Sequence, residues 1–298
     1  MKFINPHAEW WKQQNPIRQI ARVGRICYKS KGKQPDPAMS EAEIEAFIDK
    51  RDEQRCLGFW KSGHRSMYRH GSVYFFIPND SRLPGNIWAC FIASPFIDYV
   101  VDGHRVFVST NMQYYNEHAN LQPILEPYVV TEEKFIEKAL KLQCTDALML
   151  LRMTLVVTTQ RIQGESYNRK SPNNIAQEST RYVNLAKKDG VMICRPHWEA
   201  KAKWYQIWAS HFGYWVAEKV YKFLLFTGLQ PEDARGNLTY NTYTLIGYTY
   251  NLLEWRHIMD MRLRNTTGRA HPDARILAQR ISEAINGRMR QYIPDFEI

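Results

Sequence analysis

The sequence predicts a mixed α/β (α+β) fold: a mixed sheet followed by a helix-rich C-terminal half. Three observations predict it. Short apolar runs rich in β-branched and aromatic residues (73–77, 99–108 and 154–158) are bounded by turn residues, the pattern of buried strands. After Pro196, aromatic and aliphatic residues recur at helical spacing. No internal repeat or low-complexity linker divides the 298 residues, so residues 1–298 read as a single domain.

The elements follow in order. Residues 16–28 read as a helix with Ile17, Ile20, Ala21 and Ile26 as its apolar positions. Ser40-x-x-Glu43 is a capping box that opens a helix from Glu41 into the region of Phe59, and Gly63 ends it. Residues 73–77 form a strand stopped by Pro78-Asn79-Asp80. Residues 87–92 read as another strand, and 99–108 as a further one with a turn at Asp102-Gly103. Residues 131–142 look helical, and the apolar run 147–158 has strand character at 154–158. Trp204, Trp208, Phe212 and Trp215 read as a core-facing stripe on a helix that Gly228 ends. Leu245, Tyr248, Leu252, Trp255 and Met259 have near-heptad spacing on another helix. Residues 273–286 form the last helix, capped around His271-Pro272.

Composition narrows the function. Hydrophobic content of 44% and aromatic content of 13% are values of a folded domain. No apolar run approaches the ~18 residues of a membrane span, and residues 1–14 hold no apolar signal core; the expected location is cytoplasmic. The net charge of +10 favours polyanions, nucleotides and phosphorylated cofactors among them. There is no concentrated Lys/Arg block or RNP-like motif, so no specific nucleic acid is expected. Five scattered cysteines without C-x-x-C spacing exclude a disulfide framework or zinc ribbon, and Cys194-x-x-His197 stands isolated, so no metal is expected.

The most informative stretch is 174–182, Asn-Ile-Ala-Gln-Glu-Ser-Thr-Arg-Tyr. In an extended backbone Gln177, Ser179 and Arg181 share one face, offering an amide, a hydroxyl and a guanidinium to a phosphate. A polar edge strand is the plainer alternative.

The run from Arg169-Lys170-Ser171 to Gln177-Glu178-Ser179-Thr180-Arg181-Tyr182 resembles the signature of the flavin-dependent thymidylate synthases (ThyX): Arg-His-Arg, a spacer, then Ser-x-Arg-Tyr. Lys170 and Ser171 replace the His and the second Arg. Other elements resemble the same family in order. Ala21-Arg22 to Cys27-Tyr28 is similar to its N-terminal stretch, and Gly63-His64-x-Ser66-x-x-Arg69-His70 to its flavin-binding element, with Arg69 in place of Glu. Ala234-Arg235 matches a nucleotide-contacting Arg. Asn251-x-Leu253-Glu254-Trp255-x-His257 to Arg262 matches its Asn-x-Arg-Glu-Trp-x-His helix, with Leu253 replacing Arg, and residues 270–275 echo its closing motif. Asn251 and Arg262, almost three helical turns apart, should share a polar face away from the apolar stripe. The stretch 81–150 reads as an extended insertion.

The resemblance implies reductive methylation of dUMP to dTMP. Methylenetetrahydrofolate gives the carbon, FAD the hydride, and NADPH recharges the flavin. It implies that Ser166, Arg169, Gln177, Ser179, Thr180, Arg181 and Arg235 hold dUMP, with Arg262 stabilising the ionised pyrimidine as the catalytic residue. His64, Ser66, Arg169, Lys170, Ser171, Gln177, Asn251 and His257 would lie near FAD. It also implies a homotetramer with shared active sites. A thiolate mechanism would need an activated cysteine, and no Cys sits in a Pro-Cys-His setting. The losses at Ser171 and Leu253 leave a dUMP or dCMP hydroxymethylase as the alternative. A basic nucleic-acid-binding protein without catalysis is a third reading.

Overall fold

The structure is a computed structural model that describes residues 1–78, 85–103, 105–168, 172, 174–187 and 190–298, without the side chains of Asn86 and Ile92. Its strands are β1 (Lys2–Ile4), β2 (His7–Trp11), β3 (Ser72–Pro78), β4 (Asp98–Asp102), β5 (Arg105–Asn111), β6 (Val129–Val130), β7 (Arg152–Gln160), β8 (Ile175–Gln177), β9 (Met192–Cys194) and β10 (Tyr243–Asn251). The longer helices are α1 (Pro16–Cys27), α2 (Glu41–Lys61), α3 (Gly85–Ala93), α4 (Glu132–Lys141), α5 (Arg161–Tyr167), α6 (Trp204–Phe226), α7 (Leu252–Arg262) and α8 (Pro272–Met289). The strands make one sheet in the order β2-β7-β10-β8, a second in the order β4-β5-β3-β6, and the pair β1-β9. The four-stranded sheets are antiparallel, and parallel pairing is confined to β1-β9. The fold is mixed α/β.

Strands β7 and β10 pair from Tyr243 opposite Gln160 to Asn251 opposite Arg152. Because side chains alternate, Thr244, Ile246, Tyr248 and Tyr250 point to one face of the sheet, and Gly247, Thr249 and Asn251 to the other. Helices α5, α7 and α8 cover the first face. There the Tyr248 hydroxyl lies 3.0 Å from Asn168 Oδ1, Trp255 stands edge-on to Tyr248 and Tyr250, and Leu277, Ile281 and Ile285 complete the main core. Helix α1 covers the second face. It comes so close that a Cβ on Gly247 would lie 3.0 Å from Val23 Cγ1.

The two large sheets are tied by the Tyr74 hydroxyl of β3, which accepts the Arg152 N–H at 3.0 Å. A buried polar chain holds the turn Arg65–His70 to the second face: His70 Nδ1 lies 2.8 Å from Thr249 Oγ1, itself 2.8 Å from Thr154 Oγ1. His70 is fully enclosed. Burial first, and the nearby Arg152 second, push its pKa down to about 3, so the ring is neutral.

Most expected elements are present. Asn15 caps α1, the Ser40–Glu43 capping box opens α2, Thr131 caps α4, and His271 caps α8. The hairpin β4-β5 turns at Gly103, whose φ of 55° suits glycine. Three expectations fail. Residues 87–92 belong to α3: Ile87, Trp88 and Phe91 all pack on the second core, and positions 88 and 91, three apart, share a face on a helix but not on a strand. Leu245 and Tyr248 lie in β10, not on a helix. Their near-heptad spacing with Trp255 arises because strand passes straight into helix at Asn251. That residue caps α7, its Oδ1 accepting the Glu254 N–H at 2.8 Å while Glu254 Oε2 accepts the Asn251 N–H at 3.0 Å.

The third failure concerns α6. Its aromatic row is exposed, 78% at Trp204, 64% at Trp208, 51% at Phe212 and 48% at Trp215. The helix docks instead through Tyr214, Glu218 and Tyr221, and at 100° per residue the aromatic row is centred roughly 110° around the helix from them.

His70 generates a pH dependence. Its folded pKa lies below its ordinary 6.5, so the neutral ring contributes stability that is complete above pH 6.5 and is lost as pH falls towards 3. Over the upper part of that window, denaturation experiments should show stability falling by up to about 1.4 kcal/mol per pH unit from this one proton. A folded His70→Gln variant should lose that slope; an unaltered slope would place the pH dependence elsewhere.

Candidate active site

Helix α5 starts where β7 ends and lies against β10. The contact needs Gly164, where a Cβ would stand 2.6 Å from Ile246 Cδ1. Arg161 and Glu165 of this helix line a cleft of about 510 Å³, together with Thr180, Arg235, Thr239 and Tyr240. Arg235 Nη1 donates to Thr180 Oγ1 at 3.1 Å and its Nε to the Glu232 carbonyl at 3.0 Å. Arg181 Nε reaches Glu232 Oε2 at 3.1 Å. Thr180 and Arg181 therefore meet Arg235, far away in sequence, around Glu232. Sequence reasoning missed Arg161. Burial lowers its guanidinium pKa, with Glu178 opposing the shift; its only signal was a cation immediately after a strand.

The expected alternation of Gln177, Ser179 and Arg181 does not hold. Strand β8 ends at Gln177. The Ser179 N–H bonds to the Cys27 carbonyl at 3.0 Å, and its Oγ then accepts the Arg181 N–H at 3.1 Å, turning the chain. Gln177 Nε2 donates to Thr244 Oγ1 at 3.1 Å on the α5 face, whereas Arg181 is exposed. Local side-chain-to-backbone bonding of this kind competes with the sheet ladder.

Arg262 closes α7 on the same face. It is half-buried rather than on a solvated face. Its Nη2 donates to the Ser166 carbonyl, and its guanidinium lies 5.5 Å from the Tyr167 ring centroid. Its Nε is buried without a partner, and among the described residues no carboxylate pairs with it. The Ser166 hydroxyl is occupied by the Gln163 carbonyl at 2.8 Å.

Apart from Gln177, the described residues expected near a flavin lie away from these. His64 and Ser66 are exposed at the turn that the second face of the sheet holds. Asn251 is buried on that face, and His257 is exposed on α7. Arg169, Lys170 and Ser171 lie outside the described residues. Beside Asn251, Arg152 Nη2 donates to the Arg69 carbonyl at 3.0 Å. Asn251 Nδ2 and Arg152 Nε are buried without hydrogen-bond partners. Such a donor-rich group fits an acceptor-rich ring edge or a phosphate. Burial pushes the Cys56 and Cys194 thiols up to about 12 and raises Cys27 and Cys144, the reverse of what a thiolate nucleophile needs.

Crystal structures of the UMP/dUMP methylase PolB from Streptomyces cacaoi are similar to this chain. The form bound with 5-Br dUMP is 13% identical, with 100% of this chain and 98% of that one covered and a TM-score of 0.44. The form bound with 5-Br UMP is 18% identical over 51% of this chain and 76% of that one, with a TM-score of 0.41. Similarity at this level bears on neither the activity nor the ligands of the present chain. No curated protein matches. Residues 96–289, from the chain just before β4 to the end of α8, match the sequence model of the thymidylate synthase complementing proteins. With well over half its length so matched, and with the matched span containing the 174–182 stretch, Arg235 and Arg262, the chain belongs to the thymidylate synthase complementing protein family.

Proposed function

We propose that this protein is a flavin-dependent thymidylate synthase that converts dUMP to dTMP with methylenetetrahydrofolate and NADPH. Arg262 carries the reading: a half-buried cation that no carboxylate among the described residues neutralises, with one N–H left unpartnered. A buried, unpaired guanidinium is costly, and an anionic ligand would offset that cost. A pyrimidine gaining negative charge as C5 becomes nucleophilic is such a ligand.

In this reading Arg235, Thr180 and Arg161 take the nucleotide phosphate in the cleft beside α5. Arg181 joins them by leaving Glu232, an exposed pairing of the sort that stabilises little. Bound FAD would supply the hydride, and NADPH the reducing equivalents. Asn251, His64 and Ser66 would hold the flavin from the other side of the sheet, along with Arg169, Lys170 and Ser171. A cofactor held there would lie a sheet away from Arg262 of the same chain, so one chain would not bring flavin and pyrimidine together. This separation supports a homotetramer in which neighbouring copies complete each site. The exposed aromatic row of α6, with Trp208 and Phe212 stacked 5.6 Å apart, supports it too, as a surface that a neighbour would cover.

Purified protein supplied with methylenetetrahydrofolate, NADPH and dUMP should give dTMP by product mass, with dCMP left unchanged as the comparison substrate. A hydroxymethyl product would instead establish the sister reaction, and no turnover with flavin bound would overturn the assignment.

Arg262→Ala should lower kcat by about 10²–10³ and leave the thermal midpoint nearly unchanged. Arg235→Ala should instead weaken dUMP binding about tenfold or more, because a phosphate contact persists from ground to transition state. If Arg262→Ala turned over normally, the charge-stabilising role would be lost.

Trp208→Glu combined with Phe212→Glu should yield a smaller, folded and inactive species in sedimentation experiments. A wild-type monomer with full activity would sink the shared-site arrangement.

A further inference from the structure

Two motifs that the nucleotide site leaves unused meet in space. One is the isolated Cys194-x-x-His197, between β9 and the turn His197–Lys201; the other is His271-Pro272-Asp273, the start of α8. The His197 backbone N–H donates to Asp273 Oδ1 at 2.7 Å, clamping the turn to the helix across 76 positions of sequence. The remaining oxygen faces two imidazoles: Asp273 Oδ2 is 3.2 Å from His197 Nδ1 and 3.8 Å from His271 Nδ1. The rings stand nearly perpendicular with centroids 5.4 Å apart. The candidate donor atoms of the three residues all lie within 4.8 Å of one another. Asp273 is buried.

Hydrogen bonding alone leaves this cluster incomplete. His197 Nδ1, although close to the carboxylate, is buried and makes no hydrogen bond. His271 Nδ1 presents a lone pair, accepting the Asp273 N–H at 3.2 Å with Gln163 Nε2 also 3.2 Å away. Two imidazole nitrogens and a carboxylate oxygen are the donor set of an open transition-metal site. Metal–ligand bonds of about 2.0–2.2 Å in a tetrahedron separate neighbouring ligand atoms by about 3.3–3.5 Å, and the observed 3.2 and 3.8 Å bracket that edge.

We propose that His197, His271 and Asp273 bind one divalent transition-metal ion of the zinc class. Nitrogen donors select such ions over magnesium and calcium, which prefer all-oxygen shells. His197 and Asp273 also line a cleft of about 430 Å³ with Arg195, Glu199 and Arg280, so the remaining coordination positions open onto a space that admits water or a small anion. The metal replaces the bonds at His271 Nδ1 and becomes the clamp between the turn after β9 and the first turn of α8.

The test uses the full, untagged protein stripped with chelator and titrated with Co²⁺, then Zn²⁺. The expected result is one Co²⁺ per chain with a visible absorption band, displacement by Zn²⁺, and a higher thermal midpoint in Zn²⁺ than in chelator. His197→Gln keeps the backbone clamp, and His271→Asn keeps a helix-capping side chain. Each should weaken Zn²⁺ at least tenfold and abolish the thermal shift, while dUMP binding is retained. No saturable Co²⁺ binding, or equal affinity in wild type and both variants, would overturn the site and leave an imidazole–carboxylate clamp.

Discussion

The alternation of strand β10 governs everything built around it. Nine residues, paired along their length by β7 and at Ile246–Tyr248 also by β8, have no freedom to slip, because a one-residue shift would exchange their faces. Tyr248 and Tyr250 would leave the aromatic core for the side now held by α1, and Thr249 would leave His70. The register therefore fixes more than packing. It assigns Gln177, Ser166 and Arg262 to one side of the sheet and Asn251 and the Arg65–His70 turn to the other.

That division explains an arrangement of polar groups that would be costly in a simple hydrophobic core. On the second face the neutral His70, Thr249 and Thr154 form a continuous chain, in which each member satisfies its neighbour. Next to it Arg152, only 6% exposed, is held by the Arg69 carbonyl. Groups of this kind stabilise little by themselves, and leaving them half satisfied costs more than an apolar replacement. Their unpartnered atoms lie beside Asn251, whose own side-chain oxygen is spent on capping α7. One residue thus ends a strand, starts a helix and leaves its amide N–H₂ unpartnered.

Helix α6 shows the complementary case. Tyr214 and Tyr221 fasten it through hydroxyl contacts to Asn241 and Leu185, and its larger aromatic side chains face outward. A large exposed aromatic surface marks a place where another surface belongs. Within this chain the apolar row is spent on itself, Trp208 on Phe212 and Phe212 on Trp215.

The sequence by itself determined what depends on neighbours in the chain. The caps at Ser40 and His271, the β4-β5 turn at Gly103 and the run in β7 were all legible, because a cap or a turn is made by residues within four positions. Motif residues at Arg235 and Arg262 were legible as types. Only the tertiary structure decided which partner each met: that Thr180 and Arg235 share a hydrogen bond, that Arg161 joins them, that the row of α6 faces outward, and that His197 reaches Asp273. Periodicity announces that a stripe is apolar and is silent on what covers it. A short apolar run such as 87–92 fits helix or strand until neighbouring elements choose. The physical reason is common to all of these. Local bonding is encoded locally, whereas burial and long-range pairing are properties of the packed whole.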